Sequence, residues 1–297
     1  RDLDDALIRA PNNANALATR GSLRGVLGRT ESAIADLTRA LDLSPTLVDA
    51  WMNRGLFRAR KGDGRGARAD LDEAIRRDPN LSHAIAQRGL LRMAAGDRDG
   101  AVRDLDEAAR VGPLNPTVWL SYGRLHAFYG DLPRAVKNYS RGLKLEPNNL
   151  TLLEGRADAY ERQGARAAAV SDYNKALSIA PRNAPILDRR ARLYASAGDL
   201  QSALKDYDTI VLLASDDPSA WLARAAVRGL LGDAKGAALD AENATRLAPK
   251  TPFVWQSRAV LESQWGKHGA ALVSIENALT FDAGKDPKLW LSRGQIR

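Results

Sequence analysis

Chemistry in a protein needs nucleophiles, bases, metal ligands or anion cradles, and this sequence offers few of them. His83, His126 and His268 are the only imidazoles in 297 residues, and cysteine is absent. The histidines are 43 and 142 residues apart and none has a carboxylate at i, i+4, so no metal-ligand spacing is present. Without cysteine there are no disulfides, thiolate ligands or thiol nucleophiles. Arg60-Lys61-Gly62-Asp63-Gly64-Arg65-Gly66-Ala67-Arg68 imitates a phosphate-cradling loop, where glycine amides and flanking cations face an anion. It lacks a lysine followed by serine or threonine, and no strand leads into it. The carboxylates fall mainly at turn and outer-helix positions, where they read as solvated faces rather than paired acids and bases. The sequence therefore assigns no catalytic residue, no metal and no cofactor.

Composition narrows the class further. Lysine and arginine exceed aspartate and glutamate by 44 to 36, a net charge of +8. This permits an acidic partner without demanding one. Arg58, Arg60, Lys61, Arg65 and Arg68 lie close together in a pattern a phosphate backbone could use. There are only 17 aromatics (6 Trp, 7 Tyr, 4 Phe), too few for one large aromatic-filled core. No apolar run approaches the roughly 20 residues of a membrane helix, and no charged-then-apolar leader opens the chain. The compartment stays open between cytoplasm and periplasm, and usage heavy in alanine, glycine and arginine points to a bacterial source.

The elements that would position any site are set by a period of 34 residues. Prolines recur at Pro11, Pro45, Pro79, Pro113, Pro147 and Pro181, miss once at Ser215, and resume at Pro249. Gly28, Gly62, Gly96, Gly130, Gly164, Gly198, Gly232 and Gly266 keep the same interval, as do the alanines from Ala33 to Ala271. Counting from Ala14 gives eight units: 14–47, 48–81, 82–115, 116–149, 150–183, 184–217, 218–251 and 252–285. Residues 1–13 read as the second half of a truncated preceding unit and 287–297 as the first helix of a truncated ninth. Neither end has the polar cap that a stack of repeats needs, so the chain is expected to be a piece of a longer protein.

Within a unit, apolar spacing at three and four residues predicts two helices. Glycine at position 15 suits a left-handed turn between them, and proline at position 32 is expected to stop the second. Aspartate often follows the glycine, as in Gly62-Asp63, where it can cap the second helix. Position 8 is always small, Gly21, Gly55, Gly89 and Gly123 and then Ala157, Ala191, Ala225 and Ala259, which lets the two axes approach.

Trp51, Gly55, Ala67, Leu71, Ala74 and Pro79, at unit positions 4, 8, 20, 24, 27 and 32, resemble the signature of the tetratricopeptide repeat, and the resemblance covers nearly the whole chain. It implies an all-α fold, a right-handed α-solenoid of 34-residue helix-turn-helix repeats whose first helices line a concave groove. It also implies a partner that is a peptide, tail or helix of another protein.

One position departs from that family. Position 7, where the family usually has leucine, is arginine in seven repeats: Arg20, Arg54, Arg88, Arg156, Arg190, Arg224 and Arg258. Antiparallel helices joined near position 15 put it opposite position 23, which reads Asp36, Asp70, Asp104, Asn138, Asp172, Asp206, Asp240 and Ser274. Where arginine becomes Tyr122, aspartate becomes Asn138. A ladder of six Arg-Asp pairs is expected, from Arg20-Asp36 to Arg224-Asp240, broken at Arg258 opposite Ser274. Arg24, Arg58, Arg92 and Arg228 at position 11 are expected to lie along seams between repeats with their heads in water.

If the resemblance holds, first-helix positions 2, 5, 6, 9, 12 and 13 face the groove. The expected partner-binding residues are Met52, Asn53, Leu56, His83, Gln87, Leu90, Arg124, Glu154, Asp158, Glu161, Arg162, Asp188, Arg189 and Arg192. The early repeats offer an adaptable face of amides and apolar groups, whereas Glu154 to Arg192 form a mixed-charge centre. Those charges could equally satisfy one another. Leu222, Ala226, Leu230, Phe253, Gln256 and Val260 return to an apolar face. The lysine and asparagine pattern of chaperone-tail clamps is missing, which disfavours an acidic carboxyl-terminal tail as ligand. The expected function is a non-catalytic protein-protein interaction scaffold. The alternative is a regulatory or substrate-recruiting arm of a larger enzyme whose catalytic domain lies elsewhere. Nucleic acid is disfavoured, no membrane span is expected, and a place in a larger assembly is left open.

Overall fold

A computed structural model of the protein describes residues 2–296 and contains helices and turns, with no strand among the described residues. Short α1 (Asp2–Arg9) precedes, among the described residues, α2 (Ala14–Val26) and α3 (Thr30–Leu43), α4 (Val48–Arg60) and α5 (Gly64–Arg77), α6 (Ser82–Ala94) and α7 (Arg98–Val111), α8 (Pro116–Phe128) and α9 (Leu132–Leu145), then α10 (Leu150–Arg162), then α11 (Arg166–Ile179), α12 (Ala184–Ser196) and α13 (Leu200–Leu213), α14 (Pro218–Leu230) and α15 (Ala234–Leu247), α16 (Pro252–Gln264) and α17 (His268–Asp282). A last helix, α18, spans Pro287–Ile296. The fold class is all-α, a solenoid of helix pairs.

Two compact bodies divide the chain, one up to Ala165 and one from Arg166. In the first, α2/α3, α4/α5, α6/α7 and α8/α9 pack as hairpins, and each second helix packs on the next first helix. In the second, α12/α13, α14/α15 and α16/α17 repeat the arrangement, with α11 on α12 and α18 on α17.

The small residues explain the tight pairing. Ala33, Ala67, Ala101 and Ala135 in the first body, and Ala169, Ala203, Ala237 and Ala271 in the second, are completely buried. A Cβ at Gly55 would lie 3.1 Å from the Ala67 carbonyl oxygen, so α4 and α5 meet almost backbone to backbone. Leu37, Leu71 and Leu105 at position 24 are also fully buried, each contributing about 1.5–3 kcal/mol.

The turns follow the predicted chemistry. All eight position-15 glycines have positive φ, from 72° at Gly266 to 88° at Gly62. The aspartates after them cap the second helices: Asp63, Asp97, Asp131, Asp199 and Asp233 accept from the amides of Gly66, Gly100, Arg134, Ser202 and Gly236 at 2.8–3.2 Å. In the glycine-rich stretch 60–68, the start of α5 is therefore already occupied by the Asp63 carboxylate rather than open to phosphate.

Proline is less decisive than its periodicity suggests. The helix α13 ends at Leu213 although Ser215 stands in the proline position. There the turn is held by the Asp217 amide on the Ala214 carbonyl at 3.1 Å and by the Asp217 side chain on the Ser219 amide at 2.9 Å. Where Ala283 replaces proline, α17 runs one residue longer than its counterparts and stops in a left-handed Ala283 (φ 54°).

Candidate functional site

Side chains at position 7 form the ladder, with bidentate geometry. Arg54 donates through Nε and Nη2 to Asp70 at 2.9 and 2.7 Å, with Asp70 only 1 % exposed. Arg20-Asp36, Arg88-Asp104, Arg190-Asp206 and Arg224-Asp240 repeat the fork at 2.6–3.0 Å. These five rungs each lie within one body.

Three features correct the expected ladder. First, the position-11 arginines do not leave their heads in water. Arg24, Arg58, Arg92 and Arg228 each place a guanidinium nitrogen 2.7–3.0 Å from the rung aspartate, so one carboxylate is held between two arginines. A buried carboxylate has lone pairs to spare after one fork, and a second donor lowers its cost of desolvation. Second, the position-7 arginine also reaches back sixteen residues to position 25 of the preceding second helix. Arg20 meets Asp4, Arg88 meets Asp72 and Arg224 meets Asp208 at 2.8–2.9 Å, while Arg54, Arg156 and Arg190 use Thr38, Ser140 and Asn174. Each rung thus ties a hairpin together and ties it to its neighbour.

Third, the two irregular rungs have their own solutions. Tyr122 donates to Asp106, keeping only the backward link, and Asn138 turns to its own helix, donating to the Arg134 carbonyl at 2.9 Å. In the last hairpin the acid has moved across the pair. Glu262, at position 11, accepts from Arg258 at 2.8 Å and from Ser274 at 2.6 Å, and is only 5 % exposed.

Indoles add a further tie. Trp51, Trp119, Trp221 and Trp255 donate to the carbonyl six residues earlier at 2.8–2.9 Å, clamping the turn that enters each repeat. The guanidiniums of Arg54 and Arg224 lie 4.8 and 4.9 Å above Trp51 and Trp221. With the ladder taking up so much charge, the basic cluster at 58–68 is largely paired: Arg58 with Asp70, Lys61 with Glu31 at 2.8 Å and Arg68 with Asp72 at 3.8 Å.

The first-helix faces are the other candidate. In the first body Asn15, Thr19, Ser22, Asp49 and Asn53 line a cavity of about 620 Å³, and Asn53 donates to Ser22 at 2.9 Å. In the second, Leu222, Ala226, Phe253, Gln256 and Val260 line one of about 590 Å³, with Phe253 62 % exposed. Positions 2, 5, 6 and 9 of successive first helices converge in both. Met52, Leu56, His83, Gln87, Leu90, Glu154 and Glu161 are half-buried along α4, α6 and α10. Burial keeps the His83 pKa below its usual value.

The mixed-charge residues gather around tyrosines that sequence reasoning did not assign to the groove. Tyr139, at position 24, extends past Gly123 and Gly155, which leave no room for a Cβ beside its ring. Its hydroxyl feels the charges of Arg124, Asp158 and Arg162, and burial above all pushes its pKa up to about 12. Arg162 donates to the Ala127 carbonyl at 2.9 Å and stands 3.9 Å from Asp158. In the second body Tyr207 sits similarly by Asp188 and Arg192, which pair at 2.9 Å, and burial raises its pKa too. Arg189 is exposed on the same helix. The missed signal was tyrosine in place of leucine at position 24, a longer side chain that stays buried while its hydroxyl comes near the charges of neighbouring first helices.

Among the described residues no three His, Cys, Asp or Glu side chains converge as a metal site, and no helix is long and apolar enough to cross a membrane.

Comparison with known proteins agrees with the repeat geometry. The tetratricopeptide repeat family model matches residues 18–82, 87–127 and 129–184. No curated protein matches. Among solved structures, the chain is similar to the APC/C hetero-tetramer Cut9-Hcn1 (TM-score 0.60, 13 % identity), covering 96 % of this chain and 56 % of that one. It therefore spans little more than half of that structure's length. It is also similar to PilF of Pseudomonas aeruginosa (0.59, 19 %; 68 % of this chain, 92 % of that). A thermophilic TPR protein of Thermus thermophilus is similar as well (0.58, 22 %; 61 % and 99 %). At these identities the likeness concerns the fold alone, and together with the family match it places this chain in the tetratricopeptide repeat family, whose fold serves as a protein-interaction scaffold.

Proposed function

We propose that the chain is a non-catalytic scaffold that binds a peptide segment or helix of a partner protein on the faces of its first helices. The reading treats residues 14–285 as eight repeats between two incomplete ones. Asp4 supports it at one end, because it serves Arg20 as Asp72 serves Arg88. In the first body the contact residues are Met52, Asn53, Leu56, His83, Gln87, Leu90, Arg124, Glu154, Asp158, Glu161 and Arg162, and in the second Asp188, Arg189 and Arg192.

The observation that carries the reading is the pair of cavities at equivalent positions, one mixing amides and hydroxyls with small apolar groups, the other mainly apolar. Side chains of a partner can enter such hollows without new backbone order in the receptor, which lowers the cost of association. The charged centre then sets direction and register. The test is calorimetric titration of a co-purified partner against the double variant Asp158→Arg, Arg192→Glu. Affinity is expected to fall at least about tenfold. Unchanged affinity means that the charged centre takes no part.

A further inference from the structure

The ladder is interrupted in the fourth repeat, and a cavity of about 320 Å³ lies beside the interrupted rung; the sixth repeat has a hollow of about 310 Å³ at equivalent positions, but over the intact Arg190-Asp206 pair. In the first, second, third and seventh repeats two arginines close on a buried aspartate at this place. Here Tyr122 and His126 stand for the arginines and neutral Asn138 for the aspartate. One wall is a row of near-parallel rings, Trp119 to Tyr122 at 6.0 Å between centroids and Tyr122 to His126 at 6.1 Å. The other is a row of cations along α9, Arg134, Lys137 and Arg141. These occupy unit positions 19, 22 and 26, and position 19 is glycine, alanine or serine in the other seven repeats.

Two of the three charges on this wall, those of Lys137 and Arg141, are not consumed. Arg141 lies 4.8 Å above Trp119, much as the position-7 arginines Arg54 and Arg224 lie over Trp51 and Trp221, but among the described residues no carboxylate pairs with it or with Lys137. Arg134 pairs with Asp131 at 3.1 Å, and Asp106 is bound to the Tyr122 hydroxyl. Burial lowers the His126 pKa despite Asp131 nearby, which favours the uncharged ring.

We propose that this cavity binds a phosphate monoester carried on an aromatic group: the phosphate replaces the missing rung carboxylate between Lys137 and Arg141, and the ring lies along Trp119, Tyr122 and His126. Two unpaired cations match a dianion, whereas one carboxylate is satisfied by a single guanidinium fork. The site uses side chains other than those of the proposed partner groove, so either can fail without the other.

The probe is phenyl phosphate, titrated calorimetrically into the whole chain. Saturable binding is expected, at least about tenfold tighter than inorganic phosphate or phenol. It is expected to disappear in Lys137→Glu with Arg141→Gln, both solvent-exposed positions whose replacement leaves the helical spectrum unchanged. It should also disappear in the triple variant Tyr122→Arg, His126→Arg, Asn138→Asp, which rebuilds the rung seen in neighbouring repeats and so retains the fold. Absence of saturable binding, equal binding of inorganic phosphate, or binding that survives the rebuilt rung overturns the proposal. A phosphotyrosine peptide and adenosine monophosphate, as competitors, then distinguish a partner protein from a free nucleotide as the source of the group.

Discussion

A buried carboxylate held by two guanidiniums is costly to form and costlier to break. Removing Asp70, 1 % exposed, strands the charges of Arg54 and Arg58 in a poorly solvated place, and Asp70→Ala is expected to cost about 3–5 kcal/mol. Asp72→Ala removes the half-exposed backward link to Arg88 and the looser contact with Arg68, and is expected to cost under about 1 kcal/mol. Urea unfolding measures both, and equal losses would show that burial does not govern the rungs. The relocated acid gives a sharper case. Glu262→Ala should destabilise the last hairpin, and Ser274→Asp in the same chain should restore much of the loss by returning the carboxylate to its usual helix. An absence of rescue would show that the two positions are not interchangeable.

His83 supplies the pH dependence at this scale. Its folded-state pKa lies below the ordinary 6.5, so below that pH the unfolded chain binds more protons than the folded one. The stability involved is complete above pH 6.5 and declines as pH falls through 6.5 toward the folded-state pKa. His83→Gln should flatten the unfolding free energy between about pH 7.5 and 5.5, and a profile identical to the parent would contradict the burial of that ring. Sequence showed the forward half of each rung because its partners share a fixed spacing of sixteen. The second arginine and the backward link escaped because a single carboxylate was paired with a single cation, although Asp4, Asp72, Asp106 and Asp208 stand in the same register.

Helix register was legible almost completely, since small residues, turn glycines and capping aspartates each carry a separate physical requirement and recur together. Gly62 isolates one requirement. With φ at +88° and open space around the missing Cβ, Gly62→Ala introduces backbone strain without a clash and should cost about 1–2 kcal/mol in urea unfolding. A neutral outcome would mean the left-handed turn is dispensable. Proline was read too strongly, because α13 stops on schedule without it, its turn being closed by Asp217 and clamped by Trp221. Tyr139 and Tyr207 were passed over because leucine at their position is plain core in other repeats, whereas the equally buried phenol ring reaches further, between Gly123 and Gly155 or to Asp188.

For the molecule as a whole, repetition replaces a single large core. Within each body the hairpins bury their own small residues, and the ladder, with indole clamps at Trp51, Trp119, Trp221 and Trp255, ties them to their neighbours, so stability there is close to a sum of local terms. Such a scaffold leaves its first-helix faces free for recognition. The mixture of amide-lined and apolar hollows follows from substitutions at positions 2, 5, 6 and 9 that the fold does not itself require. Partner choice was therefore less legible than architecture: the proposal assigns those positions to a ligand whose chemistry the sequence does not contain.

The most direct test is site-specific photo-crosslinking in an extract of the source cells. A benzophenone side chain would be placed at Gln87, Leu90 or Phe253 on the first helices, and at Arg76 or Arg110 on exposed second-helix surfaces. The account predicts one crosslinked protein species from the first-helix positions and none from the second-helix positions. Crosslinks confined to Arg76 and Arg110, or spread equally over all five sites, would contradict it.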